Sequence, residues 1–361
     1  MTIYTVFESE DMAEPENVTD YDNLNDYDCP EEEKAMQHFH AVFLPVFYSL
    51  IFVLGVAGNG LMMTVLLRRL HFLRITEIYL LHLALADLML LFTFPFDGAD
   101  AVTGWLFGNF LCKLTGLLKN MNHLCGSFLL ACIAFDRYLA IVHAISSMQF
   151  RQPKAVHLIC ILLWVVCLGF SVPNVVFLTV KIGDTNSTGL FCFYNDYGMH
   201  ANNWVLTNRV LNHLCFFLSL AVMALCYTAI VGTLWKSQKN KAKQGAIRLA
   251  LLITLAFCLC WLPYNITLLM NTLVDVQFII DISCNYYTSL NSALEVTKCL
   301  GILHCCLNPF LYAFVGVRFR DELIQLLCQL GCGRVCLPLI RMRNNQLSTS
   351  DGAITTNSNC V

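Results

Sequence analysis

The sequence predicts an all-α membrane protein: a seven-transmembrane helix bundle with a short amphipathic helix after the seventh span. Three observations predict it. Of the 361 residues, 57% are hydrophobic and only 13% charged, and the mean hydropathy is +0.61. A water-soluble chain carries roughly 25% charged residues. Apolar runs fall at 42–67, 76–96, 110–135, 156–180, 204–234, 247–274 and 290–315. Each is long enough to cross a hydrocarbon core of about 30 Å as a helix. The basic residues then fix the orientation. With the N-terminus outside, the inner segments hold 16 of the 22 Lys and Arg: Arg68, Arg69, Arg74, Arg137, Arg151, Lys154, Lys236, Lys239, Lys241, Lys243, Arg248, Arg318, Arg320, Arg334, Arg341 and Arg343. That is the positive-inside arrangement. The same numbers exclude a soluble enzyme, a nucleic-acid-binding domain and a disordered chain.

The chain divides into an acidic extracellular tail (1–40), the bundle (41–315), an amphipathic juxtamembrane helix (316–330) and a cytoplasmic tail (331–361). The first forty residues hold 12 Asp or Glu and one Lys, so they sum to −11. Against a net charge of −3, the remainder sums to +8. An acidic end on a basic body is an interaction-tail pattern. Residues 1–36 are too acidic for a secretory signal, so the first span is expected to target the chain. Prolines 95, 173, 263 and 309 lie inside spans. Neighbouring helices in a membrane bundle can satisfy the carbonyls that such prolines release. Residues 316–330, GVRFRDELIQLLCQL, place apolar side chains at helical spacing and are expected to lie along the inner leaflet.

Polar residues inside the spans carry the functional reading. Asp87 lies mid-span, where a carboxylate costs about 2.5–3.5 kcal/mol on insertion scales. Asn59, Asn122 and Asn308 lie at comparable depths and are expected to converge on it. Asp136-Arg137-Tyr138 closes the third span on the inner side, and the two charges are expected to pair. A pair that can change partner is what a two-state switch needs. Trp261 with Pro263 in the sixth span, and Asn308-Pro309 with Tyr312 in the seventh, place aromatic rings beside helix kinks. His304, beside Cys305 and Cys306, reads as helix packing.

Most of the 19 Cys lie within apolar runs and read as small buried hydrophobes. Four lie at outer ends: Cys29, Cys112, Cys192 and Cys284. The outer side is oxidising, so pairing is expected, and these four allow three connectivities. Sequons at Asn17 and Asn186 also fall outside and are candidate glycosylation sites.

These marks together resemble the class A (rhodopsin-like) G-protein-coupled receptors over nearly the whole chain: Gly58-Asn59, LALAD at 83–87, Asp136-Arg137-Tyr138, Trp164, Cys260-Trp261-Leu262-Pro263, and Asn308-Pro309 with Tyr312. Within the class the chain resembles the chemokine receptors. The marks are Thr93-Phe94-Pro95, Trp105-Leu106-Phe107-Gly108, DRYLAIVHA at 136–144 and HCCLNPFLYAFVGVRFR at 304–320. Gly126 and the GVRFR stretch look more like the CXC branch.

The resemblance implies a plasma-membrane receptor for a basic CXC-type chemokine, coupled to a heterotrimeric G protein of the inhibitory class and to arrestin. It implies a Cys112–Cys192 disulfide and an extra Cys29–Cys284 pair. Arg137 would hold the resting lock with Asp136, Trp261 would sense the pocket, and Tyr227 and Tyr312 would stabilise the active state. The ligand would meet Asp100, where the family has an acid, and, from position and charge, Asp97, Lys119, Tyr264, Asp275, Glu295 and Lys298, while Tyr21 and Tyr27, flanked by Asp, look like sulfation sites. A sodium ion would sit at Asp87 with Asn122 and Asn308. Cys328, Cys332 and Cys336 are palmitoylation candidates, and Ser and Thr of the last fourteen residues are phosphorylation candidates.

This chain also departs from the pattern. Ser219 stands where the fifth span usually has a proline, so less of a bulge is expected there. Gly126 replaces a common Ser near the sodium. Asp97 and Lys119 stand where a Trp and an aromatic are frequent, and Lys298 where Glu is. An unpaired lysine would be costly in the bundle, so Lys119 is expected to pair with Asp97 and Lys298 with Glu295 or another acid.

Rival classes fare worse. A transporter would show internal repeats, and a retinal-binding opsin would need a Lys where Ile302 sits. No nucleophile, base and oxyanion set points to an enzyme. The alternative within the resemblance is a chemokine-scavenging receptor without G-protein signalling, which the intact Asp136-Arg137-Tyr138 disfavours.

Overall fold

The structure, a computed structural model, describes residues 38–143, 152–182, 189–194, 199–236, 241–276, 278–279 and 284–315. A π-helical turn, Phe39–Phe43, leads into α1 (Leu44–Leu67), the first span. The second span is α2 (Ile75–Leu91) followed, after a break, by α3 (Phe94–Thr103). The third is α4 (Gly108–Val142) and the fourth α5 (Pro153–Phe177). An antiparallel hairpin, β1 (Leu178–Ile182) and β2 (Leu190–Tyr194), pairs Val180 with Cys192. The fifth span is α6 (Met199–Lys236) and the sixth α7 (Lys241–Asp275). The seventh is α8 (Cys284–Ile302) and α9 (His304–Val315). Six of these units are each long and apolar enough to cross a membrane, and α8 with α9 completes the seven-helix bundle.

Several boundaries correct the sequence reading. The fourth apolar run does not stay helical to residue 180, because Leu178 leaves the helix and opens β1. The second span continues past its apolar run to Thr103, restarting after the break at residues 92 and 93, just before Pro95. The seventh begins earlier than residue 290 and is interrupted at Leu303. At Ser219, α6 runs unbroken, as its missing proline led one to expect. The Ser219 hydroxyl donates back to Cys215 O at 2.8 Å.

α4 is the central post and packs against α2, α5, α6, α7 and β1. The largest buried cluster gathers around it, with Leu124, Leu129, Leu130 and Ile133 of α4 against Leu80, Leu83, Phe216, Ile253 and Phe257. Large apolar side chains such as Val46, Val53, Leu162, Leu218 and Leu259 instead face outward. In lipid that exposure has no cost, and helix association rests on close packing and on hydrogen bonds between helices.

The hairpin caps the outer side. Cys192 is bonded to Cys112 at the top of α4 (Cα–Cα 5.6 Å), the pairing the resemblance implies. Trp105 is buried, donates its indole N–H to Gly108 O at 2.9 Å, and donates its backbone N–H to Leu190 O at 2.7 Å. The Tyr194 hydroxyl donates to Asn174 Oδ1, and burial pushes its phenol well above the ordinary range. Eleven other cysteines among the described residues are free thiols, all buried or half-buried. The Cys29–Cys284 expectation lies outside the described residues, since Cys29 and the Cys284 side chain are not among them. So do Asn17, Asn186, Tyr21, Tyr27, the lysine side chains at 236–243, the 316–330 helix and the tail.

Candidate functional site

The functional residues form three levels along the bundle axis. The outer level is built of charges. Between α2 and α3 the Thr93 hydroxyl stands 2.8 Å from Leu90 O and 3.0 Å from Asp97 Oδ2, sharing one proton between them. This holds the Asp97 carboxylate inward, where Oδ1 receives Lys119 Nζ of α4. The expected pairing is thus formed, with both side chains largely buried. Asp100 follows Asp97 one turn later on α3. Lys298 Nζ lies 3.5 Å from Glu295 Oε2 on the same helix face of α8.

A third pair had not been foreseen. Arg209 of α6 donates to Asp275 at the end of α7 and ties the outer ends of those helices. Asp275 was read as a ligand contact, but nothing in the sequence near it points to a partner 66 residues away.

The middle level is aromatic and amide. Trp261 packs edge-on to His123 at 4.5 Å between ring centres, and to Tyr264 at 5.6 Å. Its indole plane rests on Gly301, where an added Cβ would meet the ring at 2.9 Å. Only glycine allows that approach. Trp261 Nε1–H donates to His304 Nδ1 at 3.0 Å. His304 is fully buried, and its Nε2 lies 3.2 Å from Asp87 Oδ1, off the line of a full hydrogen bond. Asp87 also accepts from Asn122 Nδ2 at 3.2 Å and Asn308 Nδ2 at 2.8 Å.

Two sequence expectations change here. Asn59 does not converge on Asp87. It donates to Gly55 O at 3.0 Å and to Cys305 O at 2.7 Å, pinning α9 to α1. His304 is not mere packing, since it stands between Trp261 and Asp87. A signal for it existed: His304 and Asn308 are four apart, hence on one helix face.

The inner level is the helix end. Arg137 Nη2 donates to Asp136 Oδ2 at 2.5 Å, with both side chains mostly buried. Tyr138 meets His143 at 2.9 Å. The Tyr227 hydroxyl shares a hydrogen bond with Thr254 of α7 at 3.0 Å. Tyr312 is buried at the lower part of α9, below Pro309, which packs on Gly58.

A bundle of this topology, with charged pairs at its outer level and an inner Asp-Arg helix end, can be set beside known proteins. The profile described as "7 transmembrane receptor (rhodopsin family)" matches residues 58–312. The chain belongs to that family. Human C-X-C chemokine receptor type 5 is 41% identical over 330 residues, covering 90% of this chain and 88% of that receptor. C-X-C chemokine receptor type 3 of Bos taurus is 42% identical over 305 residues, 84% of this chain and 81% of its own. Human type 3 is 42% identical over 307 residues, with 84% and 80% covered. These likenesses place the chain in the C-X-C chemokine receptor branch. The motifs read most like type 3, and types 3 and 5 both match at near-equal identity.

Proposed function

We propose that the chain is a plasma-membrane receptor, N-terminus outside, that binds a basic C-X-C-type chemokine through its acidic tail and helical pocket and activates an inhibitory-class G protein to drive cell migration. The observation that carries this reading is the alignment of the three levels. Paired charges stand above Trp261; Trp261 donates to His304, which shares α9 with the Asp87 partner Asn308; and Asp136 pairs with Arg137 at the inner end of α4.

The mechanism follows from charge and differential binding. Eleven net negative charges on the tail raise the encounter rate of a cationic ligand, less so at high salt. The ligand's leading segment, bringing a cation, competes with Lys119 for Asp97 and with Arg209 for Asp275. It signals only insofar as it favours the active arrangement over the resting one. In that arrangement Arg137 leaves Asp136 for the G protein, and Tyr227 and Tyr312 take up the vacated contacts. The basic stretch KSQKNKAKQGAIR at 236–248 contributes to the inner face. Phosphorylated tail residues would then recruit arrestin, and residues 316–330 would rest on membrane lipid.

The test is cyclic-AMP inhibition in cells expressing the chain, screened against a panel of CXC and CC chemokines, with ligand uptake read in parallel. A fall in cyclic AMP with CXC ligands, abolished by pertussis toxin, supports the reading. Uptake with no such fall makes the chain a scavenging receptor.

A further inference from the structure

The resemblance leads one to expect a sodium ion at Asp87. The side chains gathered there fit it poorly. A hard cation takes several oxygen ligands. Here the neighbours turn nitrogen toward the carboxylate: Asn122 Nδ2 and His304 Nε2 toward Oδ1, and Asn308 Nδ2 toward Oδ2. Asn122 Oδ1 is the amide oxygen of this group left without a partner, and one such oxygen beside a carboxylate makes a meagre shell. The common serine hydroxyl is missing, because Gly126 stands there. Phe257 fills its place, so that a Cβ on Gly126 would lie 3.0 Å from Phe257 Cε2.

The protonation pattern of His304 follows from its neighbours. An indole nitrogen can only donate. If His304 Nδ1 accepts from Trp261, the ring proton sits on Nε2, 3.2 Å from Asp87 Oδ1. The other tautomer would donate from Nδ1 to Gly301 O, 2.7 Å away. It would leave the Trp261 N–H unpaired and set a lone pair against the carboxylate. Either form leaves one buried polar group unpaired, Gly301 O or the Trp261 N–H, at about 1–3 kcal/mol, so Asp87 decides: only the Nε2–H form avoids setting a lone pair against the carboxylate.

We infer that His304 takes the place of sodium in this receptor. Its Nε2–H faces the Asp87 carboxylate and its Nδ1 holds Trp261, so the pocket tryptophan and the mid-membrane acid are coupled through one side chain, and the site takes no sodium. His304 is then a positioning residue, acting through Trp261.

The experiment needs no ligand, so its outcome is independent of the proposed function. The purified full-length receptor is unfolded thermally in detergent, read by a thiol-reactive dye on its buried cysteines. Sodium chloride is raised to about 150 mM, with potassium chloride making up a constant total. An ion that binds only the folded state raises the midpoint in a saturable way. For the wild type the expected sodium-specific shift is below about 1 °C. For His304→Asn and His304→Gln, which bring a carboxamide oxygen and free part of the site, a sodium-specific rise of about 3 °C is expected. A saturable sodium-specific rise in the wild type overturns the inference. So does a flat response in both variants, because the imidazole is then not what excludes the ion. Should neither variant fold, the wild-type titration still decides.

Discussion

Above Trp261 the bundle carries full charges in pairs, Asp97 with Lys119, Glu295 with Lys298 and Arg209 with Asp275. Below it, one carboxylate accepts from the side-chain amides of Asn122 and Asn308, with the His304 ring 3.2 Å away. The two regions solve the same problem, polar groups inside a membrane, by different means. A charged pair near water can exchange one member for a ligand's charge. Dipoles around a fixed acid cannot exchange in that way; they change only when the helices that carry them move. The outer region is suited to reading charge and the middle region to holding a two-state packing.

That contrast can be broken or sharpened by substitution. The largest effect is expected at the disulfide that frames the outer region. Cys112→Ser opens a loop of 80 residues, worth about 4–5 kcal/mol in the chain-entropy account. Cell-surface yield and thermal midpoint should both fall sharply. Next is the buried pair: Asp97→Ala or Lys119→Ala alone leaves a buried charge behind, at about 3 kcal/mol. The double variant should recover part of that loss, a coupling of about 1–3 kcal/mol. Additive losses in a thermal double-mutant cycle would show that the two charges do not support each other. In the middle region, Trp261→Phe removes one neutral donor to His304, at about 1 kcal/mol. A cost as large as that of the outer pair would erase the distinction. The smallest effect is expected at Arg209→Gln, because its partner Asp275 is partly exposed. That pair should contribute about 0.2–1 kcal/mol and weaken with added salt, as exposed pairs do.

The spans were legible because lipid imposes a composition on each. Lys119 with Asp97 was legible because an unpaired lysine at that depth is untenable, so a nearby acid had to answer it. Pairs such as Arg209 with Asp275 were not, since their meeting depends on how two helices lean at their outer ends. His304 was misjudged for a related reason. A histidine beside two cysteines in an apolar run looks inert until the neighbouring helices bring Trp261 and Asp87 to its two nitrogens. The early end of the fourth helix was hidden because Leu178-Thr179-Val180 is as apolar as a helix needs and as β-branched as a strand prefers. Asn59 had the right depth for Asp87 but faces the carbonyls of α1 and α9.

The buried thiols bear on how the chain is made. Eleven reduced cysteines lie within the described residues, none fully exposed. A new chain delivered unfolded to an oxidising compartment would offer many wrong partners for Cys112 and Cys192. Inserted span by span, it hides its thiols in lipid and then in the bundle, where buried thiols are inert. On this account the order of biogenesis, bilayer first and oxidation second, would do the sorting. A thiol-trapping time course during synthesis should find Cys112 and Cys192 oxidised while the interior cysteines stay protected.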